Sequence, residues 1–306
     1  MLWTKLKENG VILVLLSVTG YALLPVWVKT IQAAGMLSLD IATWRFVLAA
    51  PLFWVMVRLN GGHRGTARLP RLRLMLMGTM LALAALAGFW GLERLPAGTY
   101  VVLFYSYPVM VAVLSALLGE RLPKVAWASL VLTSIGVVLS VPDFGSGLQP
   151  ESLIGVLLAL ANAFIVAVYF IVNSRLMRGQ SSIAAGGAFA VTGALVVYAL
   201  LAPFRALTFP QSGTVWVSLV ALAAISTVMP VFFLTAGIQS AGPSRAAIIG
   251  TIEPVLTMVF SALFLGETLI QPVQIVGAAL ILLSVVLLQR ATRPPQRNLA
   301  AVPASQ

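Results

Sequence analysis

Along the chain, long apolar runs alternate with short stretches of Pro, Gly and charge. The runs fall at about 10–29, 38–57, 73–92, 97–118 and 124–141, then at about 153–174, 183–202, 214–238, 244–265 and 271–289. Crossing the hydrocarbon of a bilayer takes ~20 residues of helix, so each run is long enough for one passage. None alternates polar with apolar positions, which excludes barrel strands, and lipid leaves the backbone no other way to satisfy its polar groups. The expected fold is all-α, a polytopic membrane protein with ten transmembrane helices. The first run follows Lys5 and Lys7 as a signal peptide would. Its stretch from Val11 to Val28 is long for a signal h-region, however, and no small-x-small cleavage site follows. It reads as a retained first helix.

Charge sharpens this picture. The 306 residues include 19 Lys or Arg and 8 Asp or Glu, 9% in all, against 60% hydrophobic residues. Soluble domains carry about 25% charge, so this chain lacks the surface of a soluble enzyme. The absence of Cys excludes disulfides, thiol catalysis and Cys-ligated metals. A net charge of +11 would mark a soluble domain as a nucleic-acid binder. In a membrane protein it marks the cytoplasmic loops, where basic residues set topology and meet anionic lipid; lipid is the expected partner, and nucleic acid is not. Alternating the ten spans puts 15 basic residues on one side and leaves Lys29, Arg45, Arg94 and Arg205 on or near the other. Both termini are therefore expected in the cytoplasm. The tail 291–306, with Pro294, Pro295 and Pro303, has no apolar pattern and reads as disordered. His63 stands alone in a basic loop, and neither a metal site nor a cofactor is expected.

The chain also resembles itself at an offset of 146 residues. GLERLPAGTYVVLFYSYPVMVAVLSAL at 91–117 aligns with GIQSAGPSRAAIIGTIEPVLTMVFSAL at 237–263, with seven identities that include Gly91/Gly237 and Pro108/Pro254. Gly119-Glu120 and Gly266-Glu267 then follow in both copies. A unit of five spans is odd, so two copies, 1–145 and 146–290, must lie in opposite orientations, the inverted-repeat design of many secondary transporters. YPVMVAVLSALLGERLP and EPVLTMVFSALFLGETL resemble the paired EamA repeats of the drug/metabolite transporter superfamily, and TWRFVLAAPL (Thr43 to Leu52) is similar to the opening of that repeat. The resemblance implies a ten-helix carrier of the bacterial inner membrane, usually an exporter of amino acids or related metabolites, working by alternating access.

Within the spans, Glu253 is the deepest acid. A carboxylate at a helix centre costs ~2.5–3.5 kcal/mol to insert, so it should face protein or a wet cavity, where it is suited to exchanging a proton with substrate or bulk water. Its partner in the repeat is Tyr107. Pro25, Pro108, Pro230 and Pro254 each remove an amide donor, so they are expected to kink their helices and to free the carbonyl four residues earlier, Phe104 and Gly250 for the second and fourth. Asn162, Tyr169 and Asn173 share one helical face; Tyr100, Phe104 and Tyr107 share another, as do Ser17 with Tyr21 and Thr79 with Trp90. Such stripes would line a cavity for a small zwitterion or an aromatic metabolite. Tyr and Trp also gather at lipid interfaces, and Asn also bridges helices. Arg45 is expected to snorkel to the outer surface, with Asp40 or an anionic substrate as its other partners. The Gly-Glu pairs read as structural caps.

The substrate-binding or coupling residues expected on these grounds are Glu253, Tyr107, Asn162, Tyr169, Asn173, Tyr21 and Trp90. The reading is a secondary transporter of small metabolites, with protons or an exchanged solute as coupling partner, and not an enzyme. No nucleotide-binding glycine loop is present to supply ATP hydrolysis. A non-transporting scaffold or sensor and, more remotely, a membrane-embedded enzyme are the other classes that so apolar a chain admits.

Overall fold

The computed structural model describes residues 9–59, 69–119, 124–140, 149–177, 183–204, 206–241, 249–250, 252–267 and 271–291. The tail beyond 291, His63 with its basic loop, and Glu120 lie outside the described residues. Regular structure among the described residues is helical. Seven segments are long and apolar enough to cross a membrane: Gly10–Ala33, Ser38–Leu59, Arg71–Arg94, Ala97–Leu117, Pro150–Asn173, Ala185–Phe204 and Gly213–Leu234. Three shorter apolar helices, Trp127–Leu139, Glu253–Leu265 and Pro272–Leu287, accompany them. Large apolar side chains such as Leu72, Leu76, Leu200, Val217, Leu263 and Phe264 are exposed on the outside. That surface is unfavourable in water and ordinary in lipid.

In chain order the α-helices are α1 (Gly10–Ala22), α2 (Leu24–Ala33), α3 (Ser38–Leu59), α4 (Arg71–Arg94), α5 (Ala97–Phe104), α6 (Tyr107–Leu117), α7 (Lys124–Ser140), α8 (Pro150–Leu176), α9 (Ile183–Leu201), α10 (Gly213–Ala223), α11 (Met229–Ala241), α12 (Glu253–Leu265) and α13 (Pro272–Ala291). Several apolar runs that look continuous in sequence are interrupted in space. The first breaks at Leu23 between α1 and α2, and the fourth at Tyr105–Ser106 between α5 and α6. The run around Pro230 passes through a π-helical turn, Ala224–Val228, between α10 and α11. The last break lies just before Glu253, which opens α12.

Helix α4 is the hub, packed along α8 on one side and α9 on the other. Lipid gives apolar side chains no reason to prefer another helix, so close approach and polar bridges must hold the bundle. Both devices are present. A Cβ on Gly193 would collide with the backbone of Met75, and one on Gly78 with the backbone of Ala190 and Ala194, so α4 and α9 touch main chain to main chain. Tyr198 closes the same seam by donating to the Ala82 carbonyl at 2.7 Å. Helices α7 and α13 pair in the same way, with Gly136 against the Gly277 carbonyl and a buried Thr133–Ser284 hydrogen bond of 2.6 Å. Helix α1 lies on α11, where the Ser17 hydroxyl donates to the Pro230 carbonyl at 2.8 Å. Helix α12 packs against α5, α1 and α2, which brings three of the broken runs to one place.

Candidate functional site

Three of the four prolines singled out in the sequence stand directly after a break, and the fourth follows a π-helical turn. Pro25, Pro108 and Pro254 occupy the first two positions of α2, α6 and α12, and Pro230 is the second residue of α11. At Pro25, Pro108 and Pro254 the helix therefore restarts at the proline, where a missing N–H costs nothing because the first turn leaves its amides free in any case. The cost falls upstream, on carbonyls that lose their helical donor. One of these is Gly250, four residues before Pro254. The Tyr105 hydroxyl donates to the Gly250 carbonyl at 3.0 Å and lies 2.9 Å from Glu253 Oε2. Tyr105 itself is placed by the break between α5 and α6, so the interruption of one helix supplies the hydroxyl that fills the interruption of the other.

Around this pair the structure gathers aromatic rings. Tyr107 lies 6.0 Å from Tyr105, 5.2 Å from Phe104 and 5.6 Å, stacked, from Phe170. Tyr169 meets Phe170 edge-on at 6.2 Å. Tyr21, in the last turn of α1, is within electrostatic reach of Glu253, Tyr107 and Tyr169. Glu253, Tyr21, Tyr107 and Tyr169 are half-buried. Among the described residues no Lys or Arg forms an ion pair with Glu253. Nor do three or more His, Cys, Asp or Glu side chains cluster there as metal ligands would.

The remaining expected residues fall elsewhere. Asn162 is buried in α8 and donates from Nδ2 to the Tyr100 hydroxyl, in a pocket that Gly88 and Gly91 of α4 leave for that ring. Its Oδ1 is buried without a partner among the described residues. Asn173 is half-buried further along α8. Trp90 is 40% exposed near the end of α4, and its neighbour on the expected face, Thr79, is also exposed and bonds back to the Leu76 carbonyl. That stripe faces outward. Ser17, paired in sequence with Tyr21, is spent on the α1–α11 contact.

Arg45 corrects the sequence reading outright. Instead of snorkelling, it turns inward and donates from Nε to Thr227 Oγ1 at 3.0 Å. A side-chain donor in the hydrocarbon region gains more from a fixed hydroxyl than from a stretched path to the surface, and only the tertiary fold brings Thr227 within reach. Asp40, the alternative partner, accepts instead from the Thr208 amide at 3.4 Å. Tyr105 and Thr227 are the functional candidates that the sequence did not reveal. Tyr105 is off the Tyr100–Phe104–Tyr107 stripe, and the one available signal was its position three residues before Pro108.

Glu267 closes one end of the bundle. Gly266, at φ 64°, ends α12 in the left-handed conformation, as does its repeat partner Gly119 at φ 96° beyond α6. A residue with a Cβ is strained there, which gives the paired glycines their purpose. The turn delivers the Glu267 carboxylate to the first amide of α5, where Ala97 N–H meets both oxygens at 2.8 and 3.0 Å, and to Lys29 of α2 at 3.3 Å. The expected cap is present, but the helix it caps is α5. Beside it lies a cavity of about 520 Å³ bordered by Lys29, Gln32, Leu92, Glu93, Leu265 and Glu267.

The model of the EamA-like transporter family matches residues 8–141 and again 153–290. The uncharacterized transporter YcbK of Bacillus subtilis is 25% identical over 289 residues, 90% of this chain and 91% of its own. The uncharacterized transporter sll1319 of Synechocystis is 29% identical over 217 residues, covering 69% of this chain and 64% of that one. The pseudopaline exporter CntI of Pseudomonas aeruginosa is 26% identical over 157 residues, about half of each chain. A crystal structure with 21% sequence identity superposes with a TM-score of 0.63 over 91% of this chain and 95% of that one, and so shares the fold. With two family matches spanning its apolar helices, this integral membrane protein belongs to the EamA-like transporter family, within the drug/metabolite transporter superfamily.

Proposed function

We propose that the chain is a secondary carrier that exports small metabolites, amino acids or related compounds among them, by alternating access. In this reading ten spans form two inverted halves, 1–145 and 146–290, in the bacterial inner membrane with both termini in the cytoplasm. The observation that carries it is the joint between Tyr105, Gly250 and Glu253. Two broken helices, one from each half, meet through groups that an unbroken helix would have kept to itself. Irregular backbone at membrane depth is tolerated where it borders a cavity, and carriers place their sites there. Pro25, Pro108 and Pro254 mark where helices restart and Pro230 follows a π-helical turn, and these are where the halves can flex.

Proton counting at the joint supports protons as the coupling ion. Tyr105 has one hydroxyl proton and two acceptors, the Gly250 carbonyl and Glu253 Oε2. When Glu253 is protonated, it donates to Tyr105 and Tyr105 donates to Gly250, so every acceptor is served. When Glu253 is ionised one donor is missing, and the cationic or hydrogen-bonding end of a substrate can supply it. Proton and substrate then compete for one carboxylate, which is the condition for exchanging one for the other across the membrane. Tyr21, Tyr107 and Tyr169 supply ring faces and hydroxyls for the rest of the molecule.

The test is a comparison of metabolite efflux between cells with and without the protein, over a broad panel of preloaded amino acids and related compounds. A subset leaving faster from the producing cells is the expected result. No difference for any compound would favour a scaffold or sensor over a carrier.

A further inference from the structure

A second charged side chain is turned into the bundle. Arg45 stands about two turns into α3. Its Nε donates to Thr227 Oγ1 at 3.0 Å, and its guanidinium lies over the rings of Phe46 and Phe89, 5.5 and 5.6 Å from their centroids. Thr227 belongs to the π-helical turn, and its hydroxyl proton goes to the Leu222 carbonyl at 2.7 Å. A lone pair of that hydroxyl is therefore what Nε meets. The guanidinium is thus fixed at its Nε edge and flanked by rings. The opposite edge, Nη1 and Nη2, makes no hydrogen bond or ion pair among the described residues. The side chain keeps part of its surface accessible.

A cation withdrawn from bulk water without a counter-ion is expensive, and a long side chain with that problem usually snorkels. This one is instead anchored inward by a hydroxyl that a π-helical turn presents, and such turns recur at functional sites. The unused edge offers two N–H groups in one plane, the spacing that matches the two oxygens of a carboxylate. Tyr21 connects it to the joint described above, being within electrostatic reach of both Arg45 and Glu253. Arg45 and Glu253 form no ion pair with each other, so neither is spent on the other.

We propose that the free Nη edge of Arg45 is an anion subsite of the transport cavity and holds a carboxylate of the transported metabolite, an assignment that rests on the carrier reading for what the ligand is. The substrate is then dipolar. Its carboxylate faces α3 and the π-helical turn, and its cationic end faces Glu253 on α12. Phe46 and Phe89 exclude water around the guanidinium and strengthen the pairing.

Benzoate and its neutral isostere benzamide separate charge from shape at this subsite. Their binding to the purified full-length protein in detergent is read from tryptophan fluorescence and from thermal unfolding. Wild type is expected to bind benzoate about tenfold more tightly than benzamide, the contribution of a charge-assisted bidentate pair. Arg45→Gln is expected to erase the preference, Arg45→Lys to keep part of it as a point charge without the fork, and Arg175→Gln on the exposed end of α8 to leave it unchanged. Thr227→Val, which frees Nε and lets the guanidinium turn, is expected to weaken it and serves if Arg45→Gln does not fold. Equal binding of the two probes by wild type, or a benzoate preference that survives Arg45→Gln, would overturn the assignment. A preference for benzoate without saturable flux in liposomes would count against the carrier reading and leave the subsite standing. Flux without the preference would do the reverse.

Discussion

Glu253→Gln will abolish efflux driven by a pH gradient while the protein still folds. Glutamine preserves the size of the side chain and its hydrogen bonds to Tyr105, so it mimics the protonated carboxyl and leaves the α5–α12 joint intact. It can neither release a proton nor attract a cationic substrate. A hydrogen bond to a charged group contributes about 1.5–3 kcal/mol, so the affinity of a cationic substrate group should fall roughly 10- to 150-fold. The check is purified protein in liposomes with an imposed pH gradient, measuring release of a loaded substrate from the efflux panel. Wild type should respond to the direction of the gradient and the variant should not. An unchanged gradient response in Glu253→Gln would sink proton coupling at this carboxylate.

The second large effect is expected at the far end of the same helix. Glu267 ties α12 to α5 through the Ala97 amide and to α2 through Lys29. The latch therefore joins the second half of the chain to two broken spans of the first half. Glu267→Gln removes the charge from both contacts. If the latch holds this end closed with the ~1–3 kcal/mol typical of coupling between states, its loss raises the open population by roughly 5- to 150-fold. The native sequence has no Cys, so a single Cys at Ala33, which borders the cavity beside the latch, reports the opening directly. Labelling of that Cys by a polar maleimide is expected to run about tenfold faster in the Glu267→Gln background. Equal rates in both backgrounds would show that the latch does not govern access at this end.

Much of the architecture was legible from hydropathy alone, because burial in lipid is a property of single helices. The runs at 38–57, 73–92 and 183–202 correspond to Ser38–Leu59, Arg71–Arg94 and Ile183–Leu201. The breaks were less legible. A helix that stops at Tyr105–Ser106 and restarts at Tyr107 has the same mean hydropathy as one that does not, and proline by itself leaves open whether it bends a helix from within or begins a new one. Pro108 and Pro254 were visible as markers, but the restart they mark was not.

The site divides along the same line. Glu253 stood out because a carboxylate in an apolar run is costly whatever surrounds it. Tyr21, Tyr107 and Tyr169, expected from helical periodicity, lie around Glu253 in the structure. Tyr105 could not be expected that way, because the break in the fourth span changes the direction of its side chain relative to the stripe. Arg45 was misread for a related reason. Its partner Thr227 is distant in sequence and is presented by a π-helical turn that nothing local announces. Asn162 and Trp90 carried polar or aromatic character without a location, and the fold put one in a helix seam with Tyr100 and the other toward the outside.

The most direct test of the central claim is flux through the purified protein in liposomes. Vesicles are loaded with a mixture of amino acids and related metabolites, and the release of each is followed against protein-free vesicles. A carrier built on the Glu253–Tyr105 joint is expected to release a chemically related subset with saturable kinetics, at a rate that Glu253→Gln reduces. Release that matches protein-free vesicles for every compound would contradict transport by this chain.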